Sequence, residues 1–90
     1  MSIAICLHKF YQQYSDNNEV VPVDGCTVKE CIDNLTELYP GLKKVLFTGK
    51  GKLHPLVGIF VNSTSAGHDA LGREVKDGDK IYLIHTLAGG

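Results

Sequence analysis

The sequence predicts an α+β domain, a mixed sheet of about four or five strands with one main helix packed across it. Two observations carry that expectation. Thr27 to Tyr39 opens on a capping signal and carries Val28, Cys31, Ile32, Leu35, Leu38 and Tyr39 at helical spacing, which makes one apolar face. Around it stand short stretches with the period of two that marks a half-buried strand.

Residues 3–11 read as the first strand, with Ile3, Ile5 and Leu7 on one face and Ala4, Cys6, His8 and Phe10 on the other. Asp16-Asn17-Asn18 is the turn into a second strand, Glu19 to Val23, the hairpin partner of the first. Pro22 lacks a donor for the ladder and places that strand at an edge. Thr27 is the helix N-cap and Glu30 reaches back to close the box. Cys26 and Cys31 are expected to touch as a small staple across the first turn. Pro40-Gly41 ends the helix.

Leu42, Val45, Leu46 and Phe47 cover the end of the core, and Thr48-Gly49-Lys50-Gly51-Lys52 is a loop. Its glycines and lysines lack the spacing of a phosphate-cradling loop. Val57 to Asn62 is a strand with Val57, Ile59 and Val61 inward and Phe60 outward. Asn62 to Arg73 is loop, with a short strand or turn near Leu71, and Val75 plugs the core. Lys76-Asp77-Gly78-Asp79 is a tight turn. Lys80 to His85 is the last strand, with Ile81 and Leu83 inward and Tyr82 and Ile84 outward. The first and last strands are expected to pair in parallel at the sheet centre. Residues 1–85 thus form the domain, and 86–90 a flexible C-terminal tail ending in Gly-Gly.

Composition narrows the function classes. The chain has 90 residues, 43% of them hydrophobic and 21% charged, and a formal net charge of -1. A single domain of this size buries about 60–65% of its unfolded surface, which leaves little room for a deep catalytic cleft. The charge balance gives no support to nucleic-acid or anionic-membrane binding. No apolar run reaches the ~18–20 residues of a transmembrane helix. The N-terminal apolar stretch has no basic region before it, so it does not read as a signal peptide. Cys6, Cys26 and Cys31 are an odd set that suits free thiols in a cytoplasmic setting. They fall short of the four ligands of a plant-type iron–sulfur cluster. His8, His54, His68 and His85 lack metal-ligand spacing, so no metal site and no bound cofactor are expected.

The apolar run Ile81-Tyr82-Leu83-Ile84 leads, after His85, into Thr86-Leu87-Ala88-Gly89-Gly90. Two glycines without Cβ fit a slot too narrow for a side chain and present one functional group, the α-carboxylate of Gly90. A frayed, inert terminus is the competing reading.

Val57-Gly58-Ile59-Phe60-Val61-Asn62, Val75-Lys76-Asp77-Gly78-Asp79-Lys80-Ile81 and Leu87-Ala88-Gly89-Gly90 resemble the ubiquitin-like β-grasp sulfur carriers of the ThiS/MoaD family. These include the thiamin sulfur carrier and the small subunit of molybdopterin synthase. Leu38-Tyr39-Pro40-Gly41 and Gly51-Lys52-Leu53-His54 look most like the CysO-type carrier that supplies sulfur for cysteine synthesis. Many members have proline where the last strand meets the tail; here the residues are Ile84-His85-Thr86.

The resemblance implies a protein cosubstrate and not a catalyst. A ubiquitin-activating-type adenylyltransferase would use Mg-ATP to activate Gly90, and a sulfur nucleophile would leave a thiocarboxylate there. A second, sulfur-accepting biosynthetic enzyme would take the sulfur, either a cysteine synthase-like enzyme or the large subunit of molybdopterin synthase. Gly89, Ala88 and Leu87 would be recognised as the tail, and Phe60, Tyr82 and Ile84 would form the docking patch. The chain ends at Gly90, so no trimming is expected. A ubiquitin-like modifier joined to lysines through Gly90, and a non-covalent binding module, are the other readings.

Overall fold

The computed structural model describes residues 2–67 and 69–86. Its sheet has five strands in the order β2-β1-β5-β3-β4. These are β1 (Ser2–Leu7), β2 (Val20–Asp24), β3 (Val57–Val61), β4 (Thr64–Ser65) and β5 (Lys80–His85). The helices are α1 (Lys9–Gln12), α2 (Val28–Leu38) and α3 (Gly41–Leu46). β1 and β5 pair in parallel, with Ile5 opposite Ile81 and Leu7 opposite Leu83, so the last strand is the middle one.

Alternation along the strands decides which face is covered. Ile3, Ile5, Leu7, Val21, Val23, Val57, Ile59, Val61, Ile81 and Leu83 all lie in the core. Val28, Cys31, Ile32 and Leu35 of α2 pack onto them, with Leu42 and Leu46 of α3. Pro22 stands on the edge strand opposite Ala4, where a missing outward donor costs least.

The helix starts as its sequence signal requires. Thr27 Oγ1 accepts the Glu30 N–H at 3.1 Å, and Glu30 Oε1 accepts the Cys26 N–H at 2.8 Å, one residue before the cap. Cys26 is exposed, whereas Cys31 is buried beside Gly25, where an added Cβ would lie 2.6 Å from its Sγ. Burial, with smaller contributions from nearby acidic groups, pushes the Cys31 thiol up to about 11.

Two expectations are corrected, and two are made more definite. The first strand stops at Leu7, and residues 9–12 form α1. Phe10, Tyr11 and Tyr14 have helical spacing, and winding the chain here buries Tyr11 completely against the end of the sheet. Leu38 is 59% exposed, because the last turn of α2 overhangs the edge strand and leaves it in a shallow groove with Pro22, Asn34 and Glu37. Residues 41–46, expected to cover the end of the core, do so as a helix. Its i, i+4 pair Leu42 and Leu46 is buried, and Phe47 then bridges Leu53 across the glycine-containing turn. Of the strand or turn expected near Leu71, the chain makes the turn, a 3-10 turn over Ala70–Gly72, and a short strand also stands at Thr64–Ser65.

The turn at 76–79 locks the two central strands in register. Gly78 takes φ +90°, a conformation that favours glycine. The Gly78 N–H donates to Ser2 O at 3.0 Å, and the Ser2 N–H donates to Asp77 Oδ1 at 2.7 Å. Asp79 Oδ2 accepts the Lys76 N–H at 2.9 Å, and its Oδ1 accepts from Asn62 Nδ2 at 3.2 Å. Asn62 itself, at φ 57°, accepts the Lys80 N–H at 3.0 Å, so β1, β3 and β5 are tied at one end. The Lys76 backbone bond first, and the Asn62 bond second, hold the Asp79 carboxyl below its ordinary value. A depressed folded-state value contributes stability above the unfolded value that disappears as pH falls through the folded one. Asp79→Asn should therefore flatten the loss of stability below pH about 4, read as urea midpoints between about pH 2 and pH 5. Equal acid slopes in both proteins would show that the carboxylate carries none of the linkage.

Candidate functional site

Helices cover one face of the sheet, and the other is open. Strand alternation puts Phe60 of β3 and Tyr82 and Ile84 of β5 on the open face. Phe60 and Tyr82 are direct cross-strand partners in the ladder. Tyr82 also faces Cys6 of β1 across the parallel ladder. Burial, more than the opposing charges of Lys80 and Glu19, raises the Cys6 thiol above its usual range.

Ile84 stands opposite Gly58 and packs close over it. A Cβ on Gly58 would lie 2.7 Å from Ile84 Cγ1 and 3.4 Å from Thr86 Cγ2. The Ile84 side chain thus lies across the bare backbone of β3 and lowers the surface into a continuous apolar band. Phe60, Tyr82 and Ile84 are each only half-buried, so the band presents apolar area without a deep pocket.

The band leads to the point where the chain leaves the sheet. The Thr86 N–H donates to Leu56 O at 2.8 Å, and Thr86 Oγ1 donates to the same oxygen at 3.0 Å. The Leu56 N–H is itself held by His54 Nδ1 at 3.2 Å. His85 lies over the Phe10 ring, 4.1 Å between centroids at 30°, with Tyr11 edge-on at 5.9 Å. Tyr11 Oη reaches Ile84 O at 3.4 Å, and burial pushes its phenol up to about 12. Ile84, His85 and Thr86 are therefore set from both sides, by α1 and by the segment entering β3. Leu87, Ala88, Gly89 and Gly90, the expected reactive tail, lie outside the described residues.

The sequence reasoning missed this anchoring group. Reading residues 3–11 as strand hid Phe10 and Tyr11, and Leu56, His85 and Thr86 carried no motif. The available signal was the helical spacing of Phe10, Tyr11 and Tyr14. Among the described residues, no cluster of three or more His, Cys, Asp or Glu side chains is placed to hold a metal ion. Among them also, no helix is long and apolar enough to cross a membrane.

A central parallel pair of terminal strands, with a helix across one face, defines the class of ubiquitin-like β-grasp proteins. The ThiS family profile matches residues 8–90, and the chain belongs to that family. A candidate sulfur carrier protein from Archaeoglobus fulgidus is 32% identical over 72 residues, covering 78% of this chain and 81% of its own. A chain in the crystal structure of the Amycolatopsis orientalis BexX/CysO complex matches with TM-score 0.87 at 28% identity, over 98% of this chain and 99% of its own. SAMP1 from Haloferax volcanii matches with TM-score 0.88 at 26% identity, over the full length of both chains.

The Gly58 contact gives a direct test of how the band is built. Gly58→Ala should force the Ile84 side chain out of its place and lower stability by about 1–2 kcal/mol. Urea unfolding and the Ile84 methyl shifts in NMR spectra would report both effects. Unchanged Ile84 methyl shifts would mean that the alanine is absorbed elsewhere.

Proposed function

We propose that this protein is a sulfur carrier that acts through the α-carboxylate of Gly90. The observation that carries the reading is membership of the ThiS family over residues 8–90, in a chain whose central strand runs into Leu87-Ala88-Gly89-Gly90. A free carboxylate is a poor acyl donor, because its oxygen is a bad leaving group. A partner adenylyltransferase of the ubiquitin-activating type joins a Gly90 carboxylate oxygen to the α-phosphate of Mg-ATP and releases pyrophosphate. Hydrosulfide, or an equivalent sulfur nucleophile, attacks the acyl carbon and expels AMP, leaving the thiocarboxylate. The protein is then the sulfur-bearing cosubstrate of a second enzyme, and the chemistry is cytoplasmic.

The parts follow from their shapes. Gly89 keeps the approach to Gly90 narrow, Leu87 seats in an apolar groove of the partner, and Ala88 adds no bulk between them. Phe60, Tyr82 and Ile84 dock the domain, since an apolar band with two aromatic residues suits the core of an interface. Thr86 and His85, held by Leu56 and Phe10, fix the point from which the tail departs beside that band. The likeness to a chain of the BexX/CysO complex supports a partner enzyme, and a sulfur-accepting biosynthetic enzyme is the type proposed. Cysteine formation is the leading assignment, with molybdopterin and the thiamin thiazole as alternatives.

A second reading has its own support. The Haloferax volcanii neighbour is a small archaeal modifier protein, and conjugation of Gly90 to target lysines would begin with the same adenylation. Isopeptide-linked adducts in extracts, without a thiocarboxylate, would favour it.

Incubation with the cognate activating enzyme, ATP and sulfide should raise the intact mass by the exchange of one oxygen for sulfur. Deletion of Gly90 should abolish the gain, and no gain with a verified active partner would sink the carrier reading. Tyr82→Asp should raise the KM of the activating enzyme for this protein about tenfold with little change in kcat. An unchanged KM in a folded variant would remove Tyr82 from the docking surface.

A further inference from the structure

A second surface combines charge and apolar area on the helical side of the domain. A groove of about 690 Å³ runs between α2, α3 and the turn after α3. Pro40, Phe47 and Leu71 supply apolar lining, and three lysines, Lys29, Lys43 and Lys44, stand around it with one carboxylate, Asp33. Lys29 is paired with Asp33 at 2.7 Å, but that pair is exposed and worth little. Among the described residues, Lys43 and Lys44 have no acidic partner within ion-pair distance.

Two further observations bear on what fits there. The stretch from Leu38 to His68 contains Lys43, Lys44, Lys50 and Lys52 and no Asp or Glu, in a chain whose net charge is -1. With Lys29, Lys43 and Lys44 against Asp33, the groove's own charged lining is net positive. Gly49, which also lines the groove, has nothing within 4 Å of an added Cβ and does not take a left-handed φ. The fold has no steric reason for glycine at that wall, yet the wall is bare and admits a close approach.

We propose that this groove docks an acidic segment of a partner protein with an apolar centre. An apolar side chain would cover Phe47 and Leu71 while flanking carboxylates meet Lys43 and Lys44. A simple anion would leave the apolar lining in water, and a long polyanion would meet a molecule with no net positive field. α2 and α3 lie on the covered face of the sheet, and Phe60, Tyr82 and Ile84 on the open one, so both surfaces can be occupied together. The proposal stands apart from the tail chemistry and is tested by binding alone.

The test is an NMR titration of the ¹⁵N-labelled full chain with a short blocked peptide carrying a Leu-Phe pair between aspartates. Saturable shifts should appear at Lys44, Phe47, Gly49 and Leu71 and weaken with added salt. Affinity should fall about tenfold in the double variant Lys43→Glu, Lys44→Glu. It should fall similarly for peptides with serine in place of the aspartates or of the Leu-Phe pair. Absence of shifts at saturating peptide would overturn the proposal, as would shifts confined to the open sheet face. Equal shifts with inorganic phosphate would reduce the groove to a simple anion site and also refute it.

Discussion

Strand β5 lies between β1 in parallel and β3 in antiparallel register, and the whole molecule depends on that placement. A parallel pair cannot be closed by a tight turn, so everything between β1 and β5 must cross over and return. The crossover brings α2 and α3 onto one face and leaves the other open. It also makes the best-supported strand the one from which the sequence runs on to its Gly-Gly end. Ile81 and Leu83 are fully buried, and two neighbouring strands satisfy the backbone of β5. The chain thus leaves the sheet at a fixed point and not from a fraying edge.

The two ends of β5 are secured by different means. At its start the Asp77, Asp79 and Asn62 side chains take up backbone N–H groups of Ser2, Lys76 and Lys80. These bonds set the register on which the inward and outward alternation rests, since a slip of one residue would exchange the two faces. At its end, Thr86 and His85 are held by Leu56 and by the aromatic residues of α1. No proline stands at this point of the chain, Ile84-His85-Thr86, to restrict the backbone. Proline fixes φ within its own ring. Here paired hydrogen bonds and ring stacking do comparable work, and they draw on residues distant in sequence.

The open face and the helical groove divide the labour of recognition in the proposed reading. Apolar area near the tail root suits an enzyme that must engulf Gly89 and Gly90. The lysine-bordered groove suits a partner that holds the domain without touching the tail. A small protein that visits more than one enzyme gains from two separate surfaces, because contacts with one need not be broken to make the other.

Much of this was legible in the sequence, for physical reasons. Helix α2 announced itself through Thr27, Glu30 and a regular apolar stripe. β1, β3 and β5 showed their inward faces by alternation, Pro22 marked an edge, and Gly78 marked a turn. The terminal motif and its neighbours pointed to the family. Such local signals survive because each depends on residues a few positions apart. Tertiary structure alone decided the rest. α1 forms because Tyr11 finds a site under the sheet end, against an alternating pattern that read as strand. Leu38 is exposed because the helix overhangs an edge whose position no local pattern encodes. Gly58 is fixed by Ile84, and the tail root by Leu56 and Phe10, through contacts between residues some 26 to 75 positions apart. Spacing within one segment carries no record of what another segment will bring against it.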